Sequence, residues 1–398
     1  LRWDKSGISG TETIIYYHQG NKFYQQDVLL GYLSAVELYN FAKDSVLAPY
    51  YSQGYYLSYT ADMDSDENSR YFPLKLYKTG TDPQIGFVYD RVADRVLDGV
   101  VVGGVTSGLD ISPDGKWLAI LTSSCIEANS FRFYSIDNLR AGDISNPLLL
   151  PSAAKWSNDC NPPGLFRSVG HNGWGIDYNG YNVLVYQDNR DDYFKAFNPN
   201  TGEQTVIFQY PGLGSWSYSQ HIARTINTAK RGWFLLSTYG NNYAGWEDNQ
   251  LFMIEIKSYD SNPKPRIWRI GDSYNKNIQN FACGNEGGCP KNCYYTEAFA
   301  SIDMSGNNVY IGSNWYGTSN MELYRIQLPE NWETVLSSGQ FPQCTLNSQC
   351  NDRNVCTNDV CDGGIGGYLP GCSNKFNTLN CDDKNVCTTG DKCSSGTC

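Results

Sequence analysis

The chain of 398 residues contains only three histidines, and two of them occupy matching places in a repeated phrase. His171 stands five residues before Ile176 and His221 five before Ile226, while Glu297 and Thr106 stand five before Ile302 and Ile111. Two imidazoles and a carboxylate make up the donor set of metal sites that keep positions open for substrate. The same groups can act as a general base and a proton relay. Converging on one point, His171, His221 and Glu297 could hold a divalent metal, with Thr106 beside them. The plainer reading of these residues is a polar lining that bonds to water. A second set, Trp174, Trp246, Trp315 and Tyr316, offers aromatic faces on which sugar rings could stack.

What must position these residues is a run of short strands. Helix periodicity is almost absent, and β-rich runs alternate with Gly, Asn, Asp and Ser turns. Only "DVLLGYLSAVELYNFA", 27–42, suits a helix as well as strands. Ile111, Ile176, Ile226 and Ile302 each anchor a first strand that is followed by a turn and a second strand. An amphipathic third strand comes next in each case: "FRFYSID", "YFKAFNP", "LFMIEIK" and "MELYRIQ". "EQTVIFQY" and "PRIWRIG" read as fourth strands, and "AVELYNFA" and "FPLKLYK" as third strands of two earlier units. A repeated four-strand phrase predicts an all-β fold, a β-propeller of six or seven blades over residues 1–330; a β-sandwich would not repeat one phrase. In a propeller the innermost strands all begin at one mouth of the central channel. The geometry therefore brings Thr106, His171, His221 and Glu297 to one rim.

Fourteen cysteines fix the compartment, since a reducing cytosol would not keep such a set paired. An extracellular or cell-surface, secreted protein is expected, and a start at Leu1 rather than Met fits a removed leader. The formal charge of −11 argues against a nucleic-acid partner, and no apolar run approaches a membrane span. No Asn-x-Ser/Thr sequon occurs.

A linker over 331–343 leads to a Cys-rich module, 344–398, with two copies of one phrase at 350–372 and 381–398. "CNDRNVCTNDVC" and "CDDKNVCTTGDKC" place Cys350, Cys356, Cys361 and Cys372 in one quartet and Cys381, Cys387, Cys393 and Cys398 in another. So little apolar residue stands between them that disulfides must replace a core. The spacing is not that of zinc knuckles, and the Asp and Asn residues could coordinate calcium weakly. Cys125, Cys160, Cys283, Cys289, Cys293 and Cys344 remain. Cys125 and Cys160 could pair beside the third blade, and one cysteine of "CGNEGGCPKNC" could reach Cys344.

The phrases "GHNGWGIDYNGYNVLVYQ", "HIARTINTAKRGWFLLSTYG" and "TEAFASIDMSGNNVYIGSNWYG" resemble those of secreted bacterial β-propeller proteins over residues 165–327. The resemblance implies a Pro-His pair where this chain has Ala298-Phe299, so a polar rim residue is replaced. More remotely, paired histidines at a propeller mouth resemble the metal-dependent oligogalacturonate lyases. The tail phrase resembles the Cys repeats of amoebal matrix proteins and, loosely, growth-factor-like modules. Repeats joined to a propeller resemble the mastigoneme proteins that build flagellar hairs of heterokont algae. An extracellular structural or adhesive subunit that polymerises with itself accounts for the disulfide repeats and fits these resemblances; a tail with little core of its own needs a cover, which a neighbouring propeller would supply. A lectin-like propeller that binds glycans, or a metal-assisted polysaccharide lyase or hydrolase, is the alternative.

Overall fold

The computed structural model describes residues 2–3, 13–57, 65–79, 81–102, 105–122, 131–150, 169–188, 193–209, 218–223, 230–240, 249–275, 299–303, 305–313, 322–334, 347, 355–364, 371–382 and 390–394. The chain divides into two compact units, Leu1–Leu328 and Pro329–Cys398.

The first unit is a six-bladed β-propeller built from six antiparallel meanders. Blade one holds β1 (Arg2–Trp3), β2 (Ile14–Gln19), β3 (Lys22–Asp27) and β4 (Val36–Asn40). Blade two holds β5 (Tyr56–Leu57), β6 (Tyr71–Lys78), β7 (Thr81–Asp90) and β8 (Arg95–Val96), with β9 (Val101–Val102) also paired to β7. Blade three runs through β10 (Val105–Ile111), β11 (Trp117–Thr122), β12 (Phe131–Ser135) and β13 (Leu148–Leu149). Blade four runs through β14 (Val169–Ile176), β15 (Asn182–Asp188), β16 (Tyr193–Asn198) and β17 (Glu203–Gln209). Blade five runs through β18 (Tyr218–Ala223), β19 (Trp233–Gly240), β20 (Gln250–Glu255) and β21 (Ile267–Asp272). Blade six has three strands among the described residues, β22 (Ser301–Ile302), β23 (Asn308–Ser313) and β24 (Glu322–Gln327).

The repeated phrase thus corresponds to one blade. Ile111, Ile176 and Ile302 each end the first strand of their sheet; Ile226 lies outside the described residues. The turn that follows is the same in three blades. Ser112, Asp177 and Asp303 accept from the backbone N–H of Gly115, Gly180 and Gly306, three residues on. Their side-chain oxygens also accept from the N–H of Trp117, Tyr181 and Asn307. The glycines sit at φ +68°, +86° and +71°, which explains why each turn ends on glycine.

Two early strands are misplaced by the sequence reading. "FPLKLYK" lies in β6, the second strand of its sheet, and "AVELYNFA" covers β4, a fourth strand. Period-2 alternation marks a strand but not its rank, which depends on what packs on either side. The 27–42 stretch is no α-helix: a 3₁₀ turn at Tyr32–Ser34 leads into β4.

Apolar layers between blades form the core. Phe131 and Phe133 of blade three pack on Trp174, Leu184, Tyr186 and Phe197 of blade four. Val185 and Phe194 meet Phe234, Leu236 and Phe252 of blade five. Each such side chain, fully buried, contributes ~1.5–3 kcal/mol by transfer from water. Polar contacts join blades as well. The Tyr178 hydroxyl donates to Glu255 Oε1 at 2.6 Å, and Arg266 holds the same carboxylate through Nε at 3.1 Å and Nη2 at 2.9 Å. Burial would raise the Glu255 carboxyl, but these bonds outweigh it and hold the group below its usual range.

In the second unit β25 (Thr357–Gly364) and β26 (Gly371–Phe376) form a hairpin. Cys356 and Cys393 are bonded to each other across 37 residues. The two copies of the phrase are therefore not separate quartets: a bond joins the first to the second, because neither has core enough to stand alone. Cys361 and Cys381 are also in disulfides. The sulfurs of Cys356, Cys381 and Cys393 lie within 4.8 Å of one another, and their engagement in disulfides leaves no thiolate there to hold a metal. The cysteines Cys125, Cys160, Cys283, Cys289, Cys293, Cys344, Cys350, Cys387 and Cys398, and the Cys372 side chain, lie outside the described residues.

Candidate functional site

Blades four, five and six bring His171, His221 and Phe299 together. The local cause lies in "GHNGWG". Val169 of β14 pairs with Asp188, yet Asn172 pairs with Tyr186, so β14 carries one extra residue around Gly170 and His171. Such a bulge re-aims the side chain it carries. Beyond the bulge, a Cβ added at Gly173 would lie 3.1 Å from both Cγ2 and the carbonyl oxygen of Ile222 in β18. One added at Gly175 would lie 2.8 Å from Ile256 Cδ1. The two glycines let β14 approach blade five as closely as backbone allows, and the first strands of the two blades meet there.

That approach sets the imidazoles edge to face, with ring centroids 4.5 Å apart and planes at 74°. His221 is buried, at 8% exposure. Phe299 lies flat against it, centroids 3.8 Å apart and planes at 24°, and remains 42% exposed on its outer side. Ser237, fully buried in β19 opposite His221, ties the layers together. Its hydroxyl donates to the His221 carbonyl at 3.4 Å and accepts from the Ala300 N–H at 3.3 Å.

Burial, and then the neighbouring His221, push the His171 imidazole down to about 4. His171 nonetheless keeps an exposed side chain, with protein on the side where it meets His221. It is therefore neutral at neutral pH, with ring nitrogen available to a proton donor or a metal. At the same end of blade four, Asp188 and Lys195 form a buried ion pair at 2.9 Å.

The histidine pair expected from the sequence converges. Glu297, Trp246, Trp315 and Tyr316 lie outside the described residues, as does the Thr106 side chain. Trp174 corrects the sugar-stacking expectation: it is 1% exposed and packs edge-on against Phe133, 6.2 Å away. Side chains of a blade strand point alternately to the preceding and the following blade, so Gly173 and Gly175 face blade five and Trp174 faces blade three. Sequence reasoning overlooked Ser237, whose signal was a small polar residue inside the apolar run "WFLLST", and the stacking role of Phe299.

No family model and no curated protein matches this chain. Among solved structures it is similar to an oligogalacturonate lyase in complex with manganese, at 11% identity over 81% of this chain and 76% of that one, with a TM-score of 0.48. Kuenenia stuttgartiensis hydrazine synthase is similar at 12% identity over 82% of this chain and 76% of that one, TM-score 0.42. TolB from Acinetobacter baumannii is similar at 8% identity over 79% of this chain and 60% of that one, TM-score 0.43.

Proposed function

We propose that the protein is an extracellular structural or adhesive subunit that self-associates into a filament or matrix. One observation carries the reading: among the described residues blade six ends on its third strand, β24, with no fourth strand beside it. The third strands β16 and β20 are buried along almost their whole length, whereas β24 exposes Glu322, Leu323, Arg325 and Gln327. Leu323 is 76% exposed. An outer strand with an exposed leucine offers a template for another chain. The disulfides of the tail support an oxidising compartment. Among the described tail residues only Cys356, Asn377 and Cys393 are buried, so the tail offers little packed surface for docking on a neighbour. The reading accordingly moves the associating surface from the tail to the propeller. The test is sedimentation velocity and electron microscopy of the full chain across a concentration series. Growing assemblies are expected, and a monomer at every concentration overturns the proposal.

A second reading, a small-ligand or divalent-metal site at the channel mouth, draws support from the neutral, solvent-reached His171 beside His221. Titration calorimetry with Zn²⁺ and Mn²⁺ at pH 7.5 tests it. Heat that disappears in His171→Ala supports a site, and no heat leaves a polar lining. Glycan binding has less support, because Trp174 belongs to the core.

A further inference from the structure

Trp174 offers no platform for a sugar, but Trp117 lines a cleft that does, and we propose that this cleft between blades two and three binds a neutral saccharide unit. The inference goes beyond self-association and does not depend on it. The cleft has a volume of about 330 Å³, and Asn200 of blade four closes one side. Small-molecule sites begin at about that size. It lies where the first strand of blade three ends, at the turn before Trp117. His171 lies near the start of its first strand, so the cleft and the histidine pair occupy opposite ends of the blades.

The walls are held rigid by their own bonds. Asp66 Oδ1 accepts from the backbone N–H of Arg70 at 2.7 Å and of Tyr71 at 2.8 Å. The Glu67 N–H donates to the Pro113 carbonyl at 2.8 Å, which ties the blade-two loop to the blade-three turn. A Cβ added at Gly115 would lie 3.0 Å from Tyr71 Cδ2, so that turn rests on the Tyr71 ring. Trp117 packs on the layer between blades three and four, and its indole N–H donates to Asn200 Oδ1 at 3.0 Å. The bond fixes the half-buried indole, and the surface it keeps lines the cleft. An aromatic surface fixed before binding can take the C–H face of a pyranose at little cost in entropy.

Tyr71 asks for an acceptor. It is 6% exposed, and its hydroxyl accepts from Arg140 Nη2 at 2.7 Å. Among the described residues nothing accepts the hydroxyl's own proton. A ligand oxygen in the cleft would complete that group. Charge decides what carries the oxygen. Asp66, Asp114 and Asp137 line the cleft together with Arg70, Lys116 and Arg140, three of each sign. Asp90 holds Arg70 through Nε at 3.0 Å and Nη2 at 2.8 Å, Asp137 holds Arg140 at 2.6 Å, and Lys116 lies 3.4 Å from Asp114. With each cation matched, no net field selects an anion or a metal ion. What remains is hydrogen-bonding capacity of both kinds, donors beside acceptors. Sugar hydroxyls, each a donor and an acceptor at once, satisfy that pattern.

Saturation-transfer NMR and calorimetry of the full-length protein test this with the methyl glycosides of glucose, galactose, mannose and N-acetylglucosamine. At least one should bind with a millimolar Kd. Tyr71→Phe, which removes the hydroxyl and keeps the ring under Gly115, should weaken that binding at least threefold. Trp117→Ala should weaken it at least tenfold. Asn200→Ala frees the indole without touching the core, so it probes the same wall should Trp117→Ala fail to fold; a loss of at least threefold is expected. Circular dichroism should be unchanged in Tyr71→Phe and Asn200→Ala. No binding of any of the four glycosides, or binding that Tyr71→Phe and Asn200→Ala leave intact, overturns the site. Displacement of a bound glycoside by sulfate would mark an anion site and overturn the assignment of a neutral ligand.

Discussion

His171 gives the most direct readout of the candidate site. Its folded value near 4 lies below the ordinary imidazole value near 6.5. Between those two values the unfolded chain binds a proton that the folded chain does not, so stability falls as pH drops through this window and rises with pH across it. Thermal melts at pH 7 and pH 4.5 should show a loss that is smaller in His171→Gln, whose side chain does not titrate. A His171 ring signal that titrates near 6.5 by NMR would contradict the desolvated position beside His221. Phe299 allows a second test. It stacks on His221 in place of the imidazole that the bacterial propeller phrase implies. Phe299→His supplies a third nitrogen ligand to His171 and His221, and three histidines are a complete zinc set. Zn²⁺ should bind that variant at least tenfold more tightly than the parent by calorimetry. Equal binding would mean that the three rings do not share one centre.

At the scale of the strand, the glycines of β14 control the distance between blades four and five. Gly173→Val would force a branched side chain against Ile222, for which overpacking typically costs ~1–3 kcal/mol. It should also move the two imidazoles apart. The expected outcome is a lower melting temperature together with a His171 titration shifted back toward 6.5. A destabilised variant whose His171 titration is unchanged would separate packing from site geometry. The rank of most strands in blades three to six was legible because one phrase, with its Ile anchor and Gly turn, recurs there. Blade one and blade two lack the phrase, and an amphipathic run such as "FPLKLYK" reads alike at any rank. The histidine pair was legible from its offset to Ile176 and Ile226. The burial of Trp174 was not, because alternation leaves open which neighbouring blade a face meets. The Phe299 stack joins blades five and six, and no local pattern encodes a contact of that kind.

At the scale of the whole molecule, the two units should respond to separate insults. Closing a loop of 37 residues by Cys356–Cys393 stabilises by about 3–4 kcal/mol on chain-entropy grounds. The paired substitution Cys356→Ser with Cys393→Ser should lower or abolish a tail transition in calorimetry while the propeller transition holds; a matching loss in both would mean that the units fold as one.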